Sequence, residues 1–407
     1  MDLVLRNARL PGEPERPVDI GIEAGRIAAI ESGLSADAES VDLGGRLACA
    51  GFVETHLHLD KSCILDRCHA EKGDLDEAIS EVAKAKKSFT AEDVYHRAKR
   101  TLERCILNGT THIRTHLEVD PGIGLKGLEG VLPLVKEYAW AVDLEICVFP
   151  QEGMLNNPGT EELMREALRR SGGMIGACPY TDSDPHGQID RIFTLAREHD
   201  LDIDMHLDFT LDPSHMDLVH VCKRAEDFKY GGRVAIGHVS KLSALEPAKF
   251  AAAAKQLQSA GVALTVLPST DIYLMGRGHD HNVPRGVTPT HKLLHHGVNC
   301  SLATNNVLNP FTPFGDCSLL RMANLYANVA QVGTAHDIAE CFRMVTSRAA
   351  QLMNLSSYGL KAGNPADIAV LDCSSVHEAV REIPPVLSVY KRGRRTVTRA
   401  PAQLHRP

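Results

Sequence analysis

Four histidines and their neighbours carry the chemistry that can be read from this chain. His56 and His58 stand one residue apart in "GFVETHLHLDK", residues 51–61, at the end of an apolar run. Alternate side chains of a β-strand share a face, so both imidazoles point one way while Val53, Leu57 and Leu59 lie on or near the other. Two ring nitrogens aimed at one point make half of a metal site. Further on, "DIDMHLDF" supplies His206 and, two residues later on the same face, Asp208. "VAIGHVS" supplies His238, and "CSLATNNVLNPFTPFGD" supplies Asn305 and Asn306. The other sixteen of the twenty histidines, including His291, His295 and His296, show no such placement and read as ordinary core or surface residues.

Positioning these groups together requires strands that end side by side. From residue 51 onward, short apolar runs alternate with helical patterns. Thr90 is a plausible N-cap with Asp93 three residues on; Val94, Ala98, Leu102 and Cys105 then share one helix face, and Gly109 hands over to "THIRTHLEV". Comparable cycles follow at "LEICVFPQEG", "GMIGACPY", "LDIDMHLDF", "RVAIGHVS", "VALTVLP" and "VNCSLATNN". About eight alternations predict an α/β fold, a distorted (β/α)8 TIM barrel over residues 51–354 whose C-terminal strand ends face one cavity. The segments 1–50 and 355–407 have a different rhythm, short antiparallel strands with turns at Glu23–Gly25 and Gly393, and are expected to close into one small β-sandwich domain.

Composition excludes several functions. A formal net charge of −8 provides no concentrated basic surface for nucleic acid or anionic membrane, and Arg392, Arg394 and Arg395 form only a short cluster. No stretch approaches the ~20 apolar residues of a spanning helix, and "MDLVLRNARL" lacks a signal-peptide pattern, so a cytoplasmic location is expected. Eleven cysteines without a C-x-x-C pair fit reduced, mostly buried thiols.

Taken together, "GFVETHLHLDK", "VFPQEG", "DIDMHLD", "AIGHVS", "PRGVTP", "PFTPFGD" and "YGLKAGNPADIAVLD" resemble the amidohydrolase superfamily over nearly the full length, specifically its cytosine deaminase branch, which includes enzymes that remove alkylamines from s-triazine rings. The resemblance implies one divalent metal ion, zinc or iron, held by His56, His58 and His206, with His238 beside it positioning the attacking water. It implies that Gln151 hydrogen-bonds the edge of a small nitrogen-heterocycle substrate. It is also compatible with a homo-oligomer. A bound metal lowers the pKa of water from about 15.7 toward about 7, and the resulting hydroxide attacks an sp² carbon bearing nitrogen while a nearby acid protonates the departing amine.

The chain departs from the family pattern where protons are handled. The aspartate expected on the last strand aligns with Asn305, which carries no charge and cannot take a proton. The glutamate that cytosine deaminases place three residues after the middle-strand histidine is Phe209, which would make one wall of the pocket apolar. The s-triazine enzymes carry a proton-transferring histidine two residues after that ligand, where this chain has Asp208, a candidate replacement base or else a structural hydrogen-bonding group. Lys61 matches the s-triazine pattern and is read as a substrate-binding residue or as a partner of Asp60 or Glu54. The polar segment 268–286 reads as a long loop, with Asp271, Arg277 and His281 as candidate substrate contacts, and His116–Asp120 as support behind the site. The leading expectation is hydrolysis of a C–N bond in a cytosine-like or aminotriazine-like ring. The alternatives are a catalytically silent relative that binds a heterocycle, favoured by Asn305 and Phe209, and a metal-using lyase or isomerase.

Overall fold

Two kinds of strand build this molecule, and the difference lies in what covers them. The structure is a computed structural model and describes residues 1–35 and 37–405. Strands β1 (Leu3–Leu10), β2 (Glu13–Glu23), β3 (Arg26–Glu31), β4 (Glu39–Asp42) and β5 (Leu47–Ala50) come from the start of the chain. The barrel strands follow: β6 (Phe52–Leu57), β7 (Thr110–Glu118), β8 (Asp143–Phe149), β9 (Met174–Ala177), β10 (Ile203–Leu207), β11 (Val234–His238), β12 (Val262–Val266) and β13 (Cys300–Leu302). Strands β14 (Ile368–Leu371), β15 (Val386–Lys391) and β16 (Arg394–Thr398) close the chain.

The terminal strands form one sheet in the order β16-β15-β14-β5-β1-β2-β3, with β4 on β1. The pair Arg9 and Leu47 joins its two halves, and one apolar cluster containing Leu5, Ile20, Ile22, Ala48, Ile368 and Val370 draws on both. Turns at Ala24–Gly25 and Arg392–Gly393 adopt the left-handed backbone that tight hairpins need.

The central eight strands are parallel in sequence order, β6 to β13, each neighbour joined by a helix-bearing connection. Helices on the outside leave no strand face for water, so β6, β10 and β11 are buried at every residue. Thr90 does cap the helix Ala91–Leu107, its hydroxyl accepting from the Asp93 amide. Several polar residues inside the barrel are paired: Thr55, Thr265 and Ser301 share hydroxyl bonds of 2.9 Å, and the Arg114 guanidinium binds Glu145 and Asp204 at 2.7 and 2.9 Å. The ring closes through Asn305, whose amide donates to the His56 carbonyl at 2.8 Å and whose carbonyl accepts from the His58 amide at 3.0 Å.

The segment 268–286 differs from the expected loop. Pro268 starts a helix that runs to Leu274, its fixed φ suiting the first turn, and only the remainder is irregular. Among the described residues no helix is long and apolar enough to cross a membrane. All eleven cysteines are free, eight of them buried.

Candidate active site

Three imidazoles meet at the C-terminal mouth of the barrel. The Nε2 atoms of His56 and His58 each lie 3.1 Å from Nε2 of His206, and all three side chains are buried. Hydrogen bonding alone does not account for this, because one proton on His206 Nε2 can serve only one of the two contacts. Nitrogens ~2.0–2.1 Å from a shared ion would sit at about this spacing. Burial is the main reason all three pKa values lie well below the usual histidine value. The next influences are the neighbouring His116 for His56 and His206, and the Lys61 ammonium for His58. Neutral imidazoles with free lone pairs are what a divalent metal requires, so this donor set fits such an ion.

Local packing explains the ring orientations. His116 stacks on His56 with centroids 3.7 Å apart, and Phe149 stacks on His206 at 4.6 Å. A Cβ on Gly237 would come within 3.2 Å of His56 Cε1, so β11 leaves the ring its space by carrying glycine there. Beneath the site Glu54 accepts from the amides of His56 and Thr304, joining β6 to the segment that carries Asn305. Burial pushes this carboxyl up to about 7, against the pull of those donors.

His238 closes the group from β11. Its Nδ1 lies 2.6 Å from Asp271 Oδ1, and its Nε2 lies 3.5 Å from the side-chain amide of Asn305. Both His238 and Asn305 have left-handed φ values, 68° and 65°, which turn the chain sharply as each strand ends. Asn305 Oδ1 is buried with no hydrogen-bond partner, an unused acceptor in the site.

A small cavity lies over these residues, lined by His58, His206, His238 and Asn305 together with Lys61, Gln151, Tyr180, Phe209, Thr270, Asn306 and Phe311. Phe209 packs its ring 3.9 Å from that of His238. Lys61 donates to Gln151 Oε1 at 3.0 Å and to Glu118 at 2.5 Å, so its partner is Glu118 and neither Asp60 nor Glu54. Its ammonium also lies 4.5 Å from the Phe311 ring centroid. Behind it, Lys86 binds Asp120, Glu118 and Glu152.

Other sequence expectations are corrected. Asp208 does not face the histidines. The strand ends at Leu207 and Asp208 takes φ 49°, so alternation fails at that step. Its carboxylate accepts from the amides of Asp217 and Leu218 at 3.0 and 2.9 Å and from Lys241 at 3.1 Å, the structural alternative rather than a base. Asp271 is fully buried with one oxygen on His238 and the other on the Leu267 amide, which leaves it no free oxygen directed at a substrate. Arg277 and His281 are exposed, Arg277 bonding the Tyr273 carbonyl. Sequence reasoning overlooked Tyr180, Thr270 and Phe311, which reach the cavity from a short 3-10 turn, a short helix and a loop whose sequences have no strand-end signature.

With this geometry in place, the chain belongs to the amidohydrolase family, whose model matches residues 39–133 and 142–397. These are hydrolases of carbon–nitrogen bonds other than peptide bonds. The chain is 27% identical over 402 residues to an N-isopropylammelide isopropyl amidohydrolase of Pseudomonas sp. (strain ADP), covering 97% of this chain and 96% of that one. It is 27% identical over 361 residues to a pterin deaminase of Rhizobium rhizogenes, covering 86% and 81%. The crystal structure of 5-methylcytosine deaminase from Klebsiella pneumoniae liganded with 5-fluorocytosine superimposes with a TM-score of 0.94 at 28% identity, covering 99% of each chain.

Proposed function

We propose that this protein hydrolyses a carbon–nitrogen bond of a small nitrogen heterocycle, cytosine-like or aminotriazine-like, and releases ammonia or an amine. The observation that carries the reading is the convergence of the His56, His58 and His206 Nε2 atoms beside His238 in a buried cavity. Relatives named for ammelide, pterin and 5-methylcytosine, all nitrogen-ring compounds, support that substrate class.

His56, His58 and His206 would hold one divalent ion, zinc or iron, which when bound supplies Lewis-acid activation of water. The protein's own contribution is proton handling and orientation. Asp271 holds the Nδ1 proton of His238, which leaves the Nε2 lone pair directed toward the cavity and Asn305. His238 Nε2 takes a proton from the nucleophile and returns it to the departing nitrogen, because the Asn305 amide forms hydrogen bonds but neither takes up nor releases a proton near neutral pH. Asn305 Oδ1 remains an acceptor for the water or the substrate. Lys61 fixes the Gln151 amide, placing it to read the ring edge, and Phe209 supplies an apolar wall.

The test combines metal analysis of gently purified protein with amine release from cytosine, aminotriazines and related cyclic ureas. Bound metal with release from a panel member is expected. Activity retained by a metal-free His56→Ala protein would overturn the site, and a folded protein with neither metal nor release would favour the binding-only alternative.

A further inference from the structure

Two neighbouring loops at the barrel mouth carry a second cluster of ligand-type residues outside the cavity. His186 stands at the start of the helix Pro185–His199, after β9, and His215 and Asp217 lie in the connection after β10. Asp217 Oδ1 is 3.2 Å from His186 Nε2 and 3.1 Å from His215 Nε2, and the three ligand atoms lie within 4.8 Å of one another. The Asp217 side chain is only 7% exposed, and it makes no capping bond to the helix that follows. His186 Nε2 is buried without a hydrogen bond of proper geometry. His220 stacks flat on His186, centroids 4.1 Å apart and planes 5° apart, and is itself anchored on Asp190 at 2.7 Å. One ring is thus held in place, a shielded carboxylate lies between two imidazoles, and the second imidazole is accessible.

We propose that His186, His215 and Asp217 form a peripheral binding site for a transition-metal dication of the zinc class, with water completing a four-coordinate shell. Two imidazole nitrogens and one carboxylate oxygen are a zinc-type donor set, and separations of 3.1–3.2 Å suit ligands bound ~2.0–2.2 Å from a common ion. The ion would tie the loop after β9 to the loop after β10. The second loop is already tied to the cavity wall: the Asp217 amide donates to Asp208, and Phe209, the next residue, packs on His238. A bound ion therefore restrains the segment that carries the apolar wall. This site shares no residue with the catalytic cluster and is independent of the reaction assigned there.

The experiment is zinc titration of the full-length protein, with bound zinc counted after gel filtration, on the wild type, His215→Ala and Asp217→Asn. Each variant should bind one equivalent less than the wild type, whatever the loading of the catalytic cluster. The zinc-dependent rise in melting temperature should shrink in both. His215 is exposed and Asp217→Asn keeps the side-chain shape, so both are expected to fold. Equal zinc stoichiometry in the wild type and both folded variants would overturn the proposal and leave the cluster as an ordinary ion-paired group.

Discussion

At the scale of single residues, the proposed proton transfer rests on His238 and its neighbours. Asp271 does not itself line the cavity and acts through His238, so Asp271→Asn should leave metal content and KM nearly unchanged while kcat falls about 100-fold or more. A pH–rate profile displaced along its acid limb in that variant would mark a positioning role, and unaltered kcat would contradict it. His206→Ala removes the nitrogen shared by both 3.1 Å contacts and should abolish both metal content and turnover. Asn305→Asp introduces a negative charge beside His238. In a protein adapted to asparagine it should lower activity or change the preferred ring, and a gain of hydrolysis would instead identify a degraded enzyme.

At the scale of elements, the site depends on how strands end. Gly237→Ala puts a methyl group 3.2–3.3 Å from the His56 ring, tighter than ordinary contact, so metal affinity should weaken while folding is preserved. Competition with a chelator measures this. Asp208 satisfies two buried amides and Lys241. Its replacement by alanine should therefore cost about 1–3 kcal/mol of stability in urea unfolding and leave the catalytic ion bound. Loss of turnover with unchanged stability would return Asp208 to the role of base.

At the scale of the whole molecule, a buried junction ties the terminal sheet to the starts of barrel strands β7 and β8. Lys391, on β15 and wholly buried, binds Asp143 and Asp367 at 2.7 Å each and the Thr111 carbonyl at 3.1 Å, and His112 lies 3.4 Å from Asp143. The terminal sheet is thereby pinned to the start of β8. Burial first, then the Lys391 charge, lowers His112 to about 4. The neutral ring is favoured in the folded state, so its contribution is fully present above the unfolded value near 6.5 and is lost as pH falls through about 4. That loss is about 3 kcal/mol at most. Urea midpoints measured between pH 7 and pH 4 should fall, and His112→Asn should flatten the slope.

Much of this was legible in the chain itself. Strongly periodic apolar runs marked all eight barrel strands, and hairpin glycines marked the terminal sheet, because burial and turn geometry are local demands that local sequence must meet. The His-x-His spacing and the histidines closing β10 and β11 were visible for the same reason. Side-chain direction beyond a strand end was not. Asp208 was expected beside His206, yet one left-handed residue sends its carboxylate to the next helix, and Asp271 was expected at the substrate, yet a short helix buries it against His238. His186 and His215 read as ordinary residues, being 29 positions apart on separate loops with no shared pattern. Which of twenty histidines share a point in space is fixed by how strands and loops close on one another. That closure depends on contacts distant in sequence, and only the tertiary structure decided it.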